Sequence, residues 1–370
     1  MQTLVISDLH LGARTGVDVL RRPEALDALL AELVGVDRLV ILGDLLELRH
    51  GPVHEALALA RPVLRAIGQA LGPDAEVVLV AGNHDHRLVA PWLDWRERSG
   101  RQPLRVEEHA GARASYATRA VERMVAPARL DVAYPGLWLA DGVYATHGHY
   151  LDRHNTTPSF ERLAAGVIGR LLRAPLVDTA SPDDYERVLT PIYAFLDAVA
   201  ARAPRKGTGA HDGVSSRAWN TMSTDGRRDW RGRVLGGTFP VAVAAINRTG
   251  IGPVHADLSG VGLRNAGLRA MGAVVEHLSV PARHVIFGHT HRAGPLEGDE
   301  PGPWTTPSGV RLHNAGSWVY ESMYNDAGPQ SPYWPGDAVV LDDGAAPRHV
   351  RLLQGVSAAA LTAPVARLPA

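Results

Sequence analysis

Five short clusters of chemically capable residues punctuate this chain: Asp8 with His10, Asp44, Asn83 with His84, His147 with His149, and His289 with His291. Each follows an apolar run directly: residues 3–6, 38–42, 76–81, 142–146 and 284–287. The plainest case is Gly82-Asn83-His84-Asp85, where such a run stops on a glycine, an amide oxygen, an imidazole and a carboxylate. Folding alone asks for no such cluster there. Two Asp, one Asn and four or five His are more donors than the roughly four that one zinc takes. They suit two divalent ions sharing a bridging carboxylate. Imidazole and carboxylate donors without a thiolate fit Zn, Fe or Mn. Two such ions about 3.5–4 Å apart clamp the attacking and leaving oxygens of a phosphoryl displacement, and they bring the pKa of a bound water down towards about 7.

The elements that must position these clusters alternate. Short β-branched runs read as buried parallel strands. Between them, residues 24–36 and 54–71 repeat apolar side chains at helical spacing, as amphipathic helices do. A helix is expected over Pro91–Arg98, and the rest of 86–135 has no clear period. Late runs at 310–313, 338–341 and 349–353 read as strands, the last two as one hairpin. Alternating strands and helices argue for an α/β fold. Open α/β sheets bind ligands at the carboxyl ends of their strands, where all five clusters fall.

One interval breaks the rhythm. Residues 151–280 separate the fourth strand from the fifth by far more than an ordinary strand-to-helix connection. Phe160 to Leu172 carries one helical stripe, and Tyr185 to Val199 carries another, opened by Ser181-Pro182-Asp183 with Pro191 inside it. Residues 202–233 are turn-rich and basic, and 256–278 are again helical. The expected organisation is a core of 1–150 and 281–358, a helical insertion or cap at 151–280, and a loose Ala/Pro-rich tail at 359–370.

The 370-residue chain carries 38 basic and 39 acidic residues for a net charge of −1, which gives nucleic-acid binding no electrostatic help. Lys206 is the only lysine, and there is no cysteine, so disulfides and thiolate metal sites are excluded. The first residues enter a strand at once, without a signal-peptide pattern. No apolar run approaches the roughly 18–20 residues that span a bilayer. A cytoplasmic protein is expected, of open oligomeric state.

Asp8-x-His10, Gly43-Asp44, Gly82-Asn83-His84-Asp85, His147-Gly148-His149 and Gly288-His289-Thr290-His291, in that order, resemble the five-block pattern of calcineurin-like metallophosphoesterases. The resemblance covers roughly 1–150 and 280–320 and leaves out the insertion. It implies a βα-sandwich of two packed mixed sheets flanked by helices, with a dinuclear metal centre. Asp8, His10 and His291 would hold one ion, Asn83, His147 and His289 the other, and Asp44 would bridge them. The implied activity is phosphoester hydrolysis, a metal-bridging hydroxide attacking phosphorus in line. His84 would act on the substrate as hydrogen-bond donor or leaving-group acid, steered by Glu47, three positions after Asp44. Relatives with a phosphate-binding Arg directly after that acidic residue are not matched, since Leu48 stands there and Arg49 comes one later. Arg49, His149 and Asn314 complete the set of candidate substrate contacts.

Asp8-x-His10-Leu11-Gly12, Gly43-Asp44-Leu45-Leu46-Glu47 and the helical insertion also look similar to the branch that cleaves UDP-diacylglucosamine pyrophosphate. In that branch the insertion would offer peripheral lipid contact. Two positions depart from it: His84, where that branch has Arg, and His149, where it has Asp. A phosphodiesterase or phosphomonoesterase of the general class is the broader expectation. A metal-binding scaffold of the same fold, without turnover, is the alternative of another kind.

Overall fold

In the computed structural model, which describes residues 1–155, 179–201 and 260–365, the apolar runs form the parallel centre of a sheet. Strands β1 (Thr3–Ile6), β2 (Arg38–Leu42) and β3 (Glu76–Val80) pair in parallel, Thr3 opposite Arg38 and Arg38 opposite Glu76. Helix α1 (Pro23–Glu32) connects the first pair and α2 (Val53–Leu71) the second. After the short helix α3 (Ala90–Arg98) come β4 (Glu108–His109), α4 (Tyr116–Val125) and β5 (Arg129–Tyr134).

The stretch without a clear period therefore contains a full strand. β5 lies parallel to β3, one place in from the edge strand β4. Its charged residues, Arg129 and Asp131, dilute the apolar signal. Its preceding helix does carry a start signal. The Ser115 hydroxyl accepts the Thr118 N–H at 3.1 Å, and the Thr118 hydroxyl accepts the Ser115 N–H at 2.8 Å, a capping box with Thr in place of the usual Glu or Gln.

A second sheet holds β6 (Gly136–Ala140), β7 (Val143–Thr146), β8 (His284–Phe287) and β9 (Arg311–Asn314), in that order. The late hairpin is β10 (Asp337–Leu341) with β11 (Arg348–Arg351). It joins the first sheet through β1, giving the order β11-β10-β1-β2-β3-β5-β4. Both sheets mix parallel and antiparallel pairs.

The sheets pack face to face. Val5, Val40, Leu42, Val78 and Val80 of the larger meet Leu137, Val143, Ala145 and Ile286 of the smaller in one buried cluster. α1, α2 and α4 cover the outer face of the larger sheet. Helices α5 (Pro182–Ala201) and α6 (Gly260–His277) cover the smaller, burying Tyr185, Val188, Leu189 and Ile192 with Met271, Val274, Val285 and Phe287. α5 runs on through Pro191. The stripe at Phe160–Leu172 and the basic stretch 202–233 lie outside the described residues.

The loose tail expected from residue 359 is corrected as far as Ala363. Ala358–Leu361 is a short helix α7, Leu361 is buried in the main core, and Arg22 donates to the Ala363 carbonyl at 3.1 Å. One apolar side chain with a core to enter is enough to tie it down. Among the described residues, no helix is long and apolar enough to cross a membrane.

Candidate metal centre

All five clusters meet where the two sheets' strands end. Asp8 and His10 follow β1, Asp44 follows β2, Asn83 and His84 follow β3, His147 follows β7, and His289 and His291 follow β8. The chain reaches these positions by sharp turns. Asp8 (φ 55°), His10 (45°), Asp44 (50°), His289 (66°) and His291 (59°) are left-handed, and among the described non-glycine residues only Ser279 joins them. Such a backbone costs roughly 1–2 kcal/mol per residue, and strain of this kind concentrates at functional sites. Close packing is part of the same design. A Cβ on Gly43 would lie 2.2 Å from the His147 ring, and one on Gly288 only 1.9 Å from Ser7 Oγ.

Three overlapping groups of side chains could hold a metal: Asp8, His10 and His291; His10, Asp44 and His84; Asp44, His147 and His289. His10 Nε2 lies 3.3 Å from His291 Nε2. Asp44 Oδ2 lies 3.6 Å from His10 Nε2 and 3.5 Å from His147 Nε2, between the outer two groups. The remote ring nitrogens are occupied. His10 Nδ1 is 3.1 Å from Glu47, His147 Nδ1 is 2.9 Å from the Leu42 carbonyl, and His289 Nε2 is 3.0 Å from Asp152. Each of these imidazoles therefore turns its other nitrogen inward.

Two observations show that the donor set fits a pair of cations. Asp8 Oδ1 is buried without a hydrogen bond and points at His291 Nε2, 3.3 Å away. The Asn83 side-chain oxygen lies 3.1 Å from both His147 Nε2 and His289 Nδ1. One end of the Asn83 amide thus faces the inward nitrogens of both imidazoles, where a cation held by all three residues would take its oxygen.

The electrostatics agree. Burial opposes charge on every member, and mutual pairing overcomes it. Asp8 is pulled down to about 2, chiefly by His147 and His291. Burial notwithstanding, Glu47 and Asp44 push His10 up to about 10, and Asp44 and Asp8 push His147 up to about 9. Carboxylates and imidazoles here hold one another in their charged forms.

His84 stands beside this group with its side chain about a quarter exposed. Its Nδ1 is 2.8 Å from Glu47 Oε2, and its N–H donates to Asp44 Oδ1 at 2.8 Å. Glu47 thus touches both His84 and His10, a second role that the sequence spacing does not suggest. Arg49 comes within 3.3 Å of the Asn83 side chain and lies over the Tyr193 ring of α5. It joins the site.

Two of the expected substrate contacts are enclosed by the protein. His149 is 1 % exposed and enclosed by Tyr134, Tyr150, Tyr193 and His147. Burial and the neighbouring His147 hold it well below the usual histidine range, so it is a neutral wall residue. Asn314 is also 1 % exposed, and its amide is committed to the loop. It donates to the Gly288 carbonyl and Thr290 Oγ1 and accepts from the Gly316 N–H. Asp85 is likewise internal, accepting the Gly82 and Leu46 N–H groups and pinning the turn that presents Asn83 and His84.

Sequence reasoning missed two residues. Asp152, five positions after His147, backs His289. Glu186 on α5 is a buried carboxylate that accepts from Tyr134, Tyr150 and Thr190 and meets His86 at 3.2 Å. It fastens the insertion to the turn that carries His84. No local motif marks either; only the fold brings them in.

The calcineurin-like phosphoesterase family model matches residues 1–190. No curated protein matches the chain. Among solved structures, the chain is similar to a cold-active protein-tyrosine phosphatase of a psychrophilic Shewanella species at 12 % identity and TM-score 0.26, over 92 % of this chain and 75 % of that one. It is also similar to a dimetal phosphatase from Danio rerio at 13 % identity and TM-score 0.32, over 95 % and 99 %.

Proposed function

From the premise that this chain belongs to the calcineurin-like phosphoesterase family, we propose that it hydrolyses phosphoesters with two divalent ions held by Asp8, His10 and His291 on one side and by Asn83, His147 and His289 on the other, Asp44 bridging. That it is a metal-dependent phosphoester hydrolase is given by the family; the residue roles are our reading. The observation that carries them is Asp44 Oδ2, at 3.5–3.6 Å from an inward imidazole nitrogen of each group.

Divalent ions held by these residues would supply Lewis-acid polarisation of the phosphoryl group and activate a water at neutral pH, and Mn, Fe and Zn are all compatible with the donors. The chain supplies the rest. His84 presents Nε2 to the substrate while Glu47 accepts at Nδ1 and stabilises the imidazolium form. Burial moves His84 downward, with Glu47 opposing and Arg49 adding to it. The negative charge of an arriving phosphoryl group reverses that balance, and a protonated Nε2 then hydrogen-bonds a phosphoryl oxygen or delivers its proton to the leaving oxygen. Arg49 adds positive charge at the same mouth and favours an anionic substrate.

A panel on Mn²⁺-loaded protein tests this: bis-p-nitrophenyl phosphate, p-nitrophenyl phosphate, cyclic nucleotides and a sugar-nucleotide diphosphate. Hydrolysis of at least one member is expected. Full loading with two ions and no turnover on any member would favour the scaffold reading. Turnover confined to the sugar-nucleotide diphosphate would place the chain with the UDP-diacylglucosamine-type hydrolases that its motifs partly resemble.

A further inference from the structure

Asp152 has no place in the five motif blocks, yet it is buried (5 % exposed) and its Oδ1 lies 3.0 Å from His289 Nε2. Its other oxygen, Oδ2, is buried without a hydrogen bond. A buried carboxylate with one partner is expensive. Nothing in the packing of its short 3-10 helix, His149–Arg153, calls for a charge at that point. What the charge does touch is an imidazole whose remaining nitrogen faces the Asn83 oxygen at 3.1 Å.

We propose that Asp152 is a positioning residue for the second metal site, fixing His289 as the tautomer that ligates through Nδ1. The reasoning is steric and electronic. A histidine can offer either nitrogen, and which one is bare depends on where the proton is held. An acceptor at Nε2 holds the proton there, leaves the Nδ1 lone pair inward, and makes the ring a stronger base. Two further contacts restrain the residue. The His289 backbone N–H donates to Asp8 Oδ2 at 2.9 Å, and its ring meets His147 edge-on with centroids 5.2 Å apart. With the backbone already left-handed at φ 66°, the carboxylate sets the one remaining variable.

Placement adds a consequence. Asp152 precedes Arg153, which donates to the Asp184 carbonyl of α5 at 2.7 Å. The first residues of the insertion thus carry both a metal-ligand support and an anchor for the covering helix.

This inference rests on the dinuclear reading above, and the test separates the two. Wild type, Asp152→Asn and Asp152→Ala are loaded with Mn²⁺, dialysed and measured for bound metal. In parallel, ¹⁵N imidazole shifts report the His289 tautomer in the metal-free proteins, with circular dichroism checking the fold. Wild type is expected to retain two ions. The Ala variant is expected to retain one, binding the second 10–100-fold more weakly, with two-ion occupancy recovered at higher Mn²⁺. The Asn variant, which keeps an acceptor without the charge, is expected to fall between them and to preserve the Nε2–H tautomer. Wild type retaining no Mn²⁺ would overturn the dinuclear reading itself. Two ions held equally tightly by all three proteins, or an unchanged His289 tautomer in folded Asp152→Ala, would overturn the role of Asp152 alone. If Asp152→Ala does not fold, Asp152→Asn decides by its Mn²⁺ affinity against wild type.

Discussion

At the metal centre His10 and His147 are held up at about 10 and 9, whereas His313 and His349 are pushed down to about 3 and 4 at the open edge of the sandwich, where β8, β9 and β11 meet. In that edge group His284 Nδ1 lies 3.0 Å from His313 Nε2, and the His313 and His349 rings stack with centroids 5.7 Å apart. Burial acts in the same direction in both places, against the imidazolium. The difference is company. The centre offers Asp8, Asp44 and Glu47, while His313 faces His349, His284 and Arg311, and Asp299 and the Gly294 backbone favour charge on His349 too weakly to offset its burial. The same side chain, set among carboxylates at the centre and among other imidazoles at the edge, is held charged in one place and neutral in the other.

The strongest way to break that contrast is to neutralise the shared carboxylate. Asp44→Asn should lower hydrolysis by about 10³-fold or more, the several kcal/mol that a metal pair lends a transition state, and should reduce the retained metal. Wild-type turnover with both ions bound would remove Asp44 from its bridging role. Glu47→Gln is gentler. It leaves an acceptor beside His10 and His84 but withdraws the charge, so Mn²⁺ affinity should fall 10–100-fold, and kcat should fall with it even at saturating Mn²⁺. An unchanged Mn²⁺ titration would mean that Asp44 and Asp8, not Glu47, hold His10.

The edge cluster gives the smallest effect and the opposite sign of pH dependence. A histidine whose pKa is lowered on folding contributes its full stability above the unfolded value near 6.5 and loses it as pH falls towards the folded value. Between pH 6.5 and 5, His313 and His349 should each withdraw about 2 kcal/mol. Urea midpoints measured across that interval should fall, and His349→Gln should flatten the slope. A slope untouched by that substitution would place the acid sensitivity elsewhere.

Much of this was legible in the sequence because the informative residues carry their own context. A buried parallel strand announces itself as a continuous apolar run, and a polar cluster immediately after it is unusual enough to be read one block at a time. The pairing of Glu47 with His84 follows from the family resemblance, which places an acidic residue three positions after Asp44. What escaped was held by tertiary proximity. β5 was hidden by Arg129 and Asp131, and α4 by a capping box of unusual composition. His149 and Asn314 look like site residues by position but are sealed by packing that no local pattern encodes. Asp152 and Glu186 come from the stretch whose layout the motifs leave open, and only folding carries them to the centre.

The two sheets divide the donors between them: Asp8, His10, Asp44 and Asn83 follow strands of the larger, while His147, His289 and His291 follow strands of the smaller. Each proposed ion would therefore take donors from both sheets, and the distance across each donor set is spanned by the dry layer of Val5, Val40, Leu42, Ala145 and Ile286, which works as a calliper. Packed sheets sit about 10 Å apart, a spacing set by the side chains between them. The width of those aliphatic residues, none of which bears a donor atom, thus sets how far apart the donors of the two sheets stand.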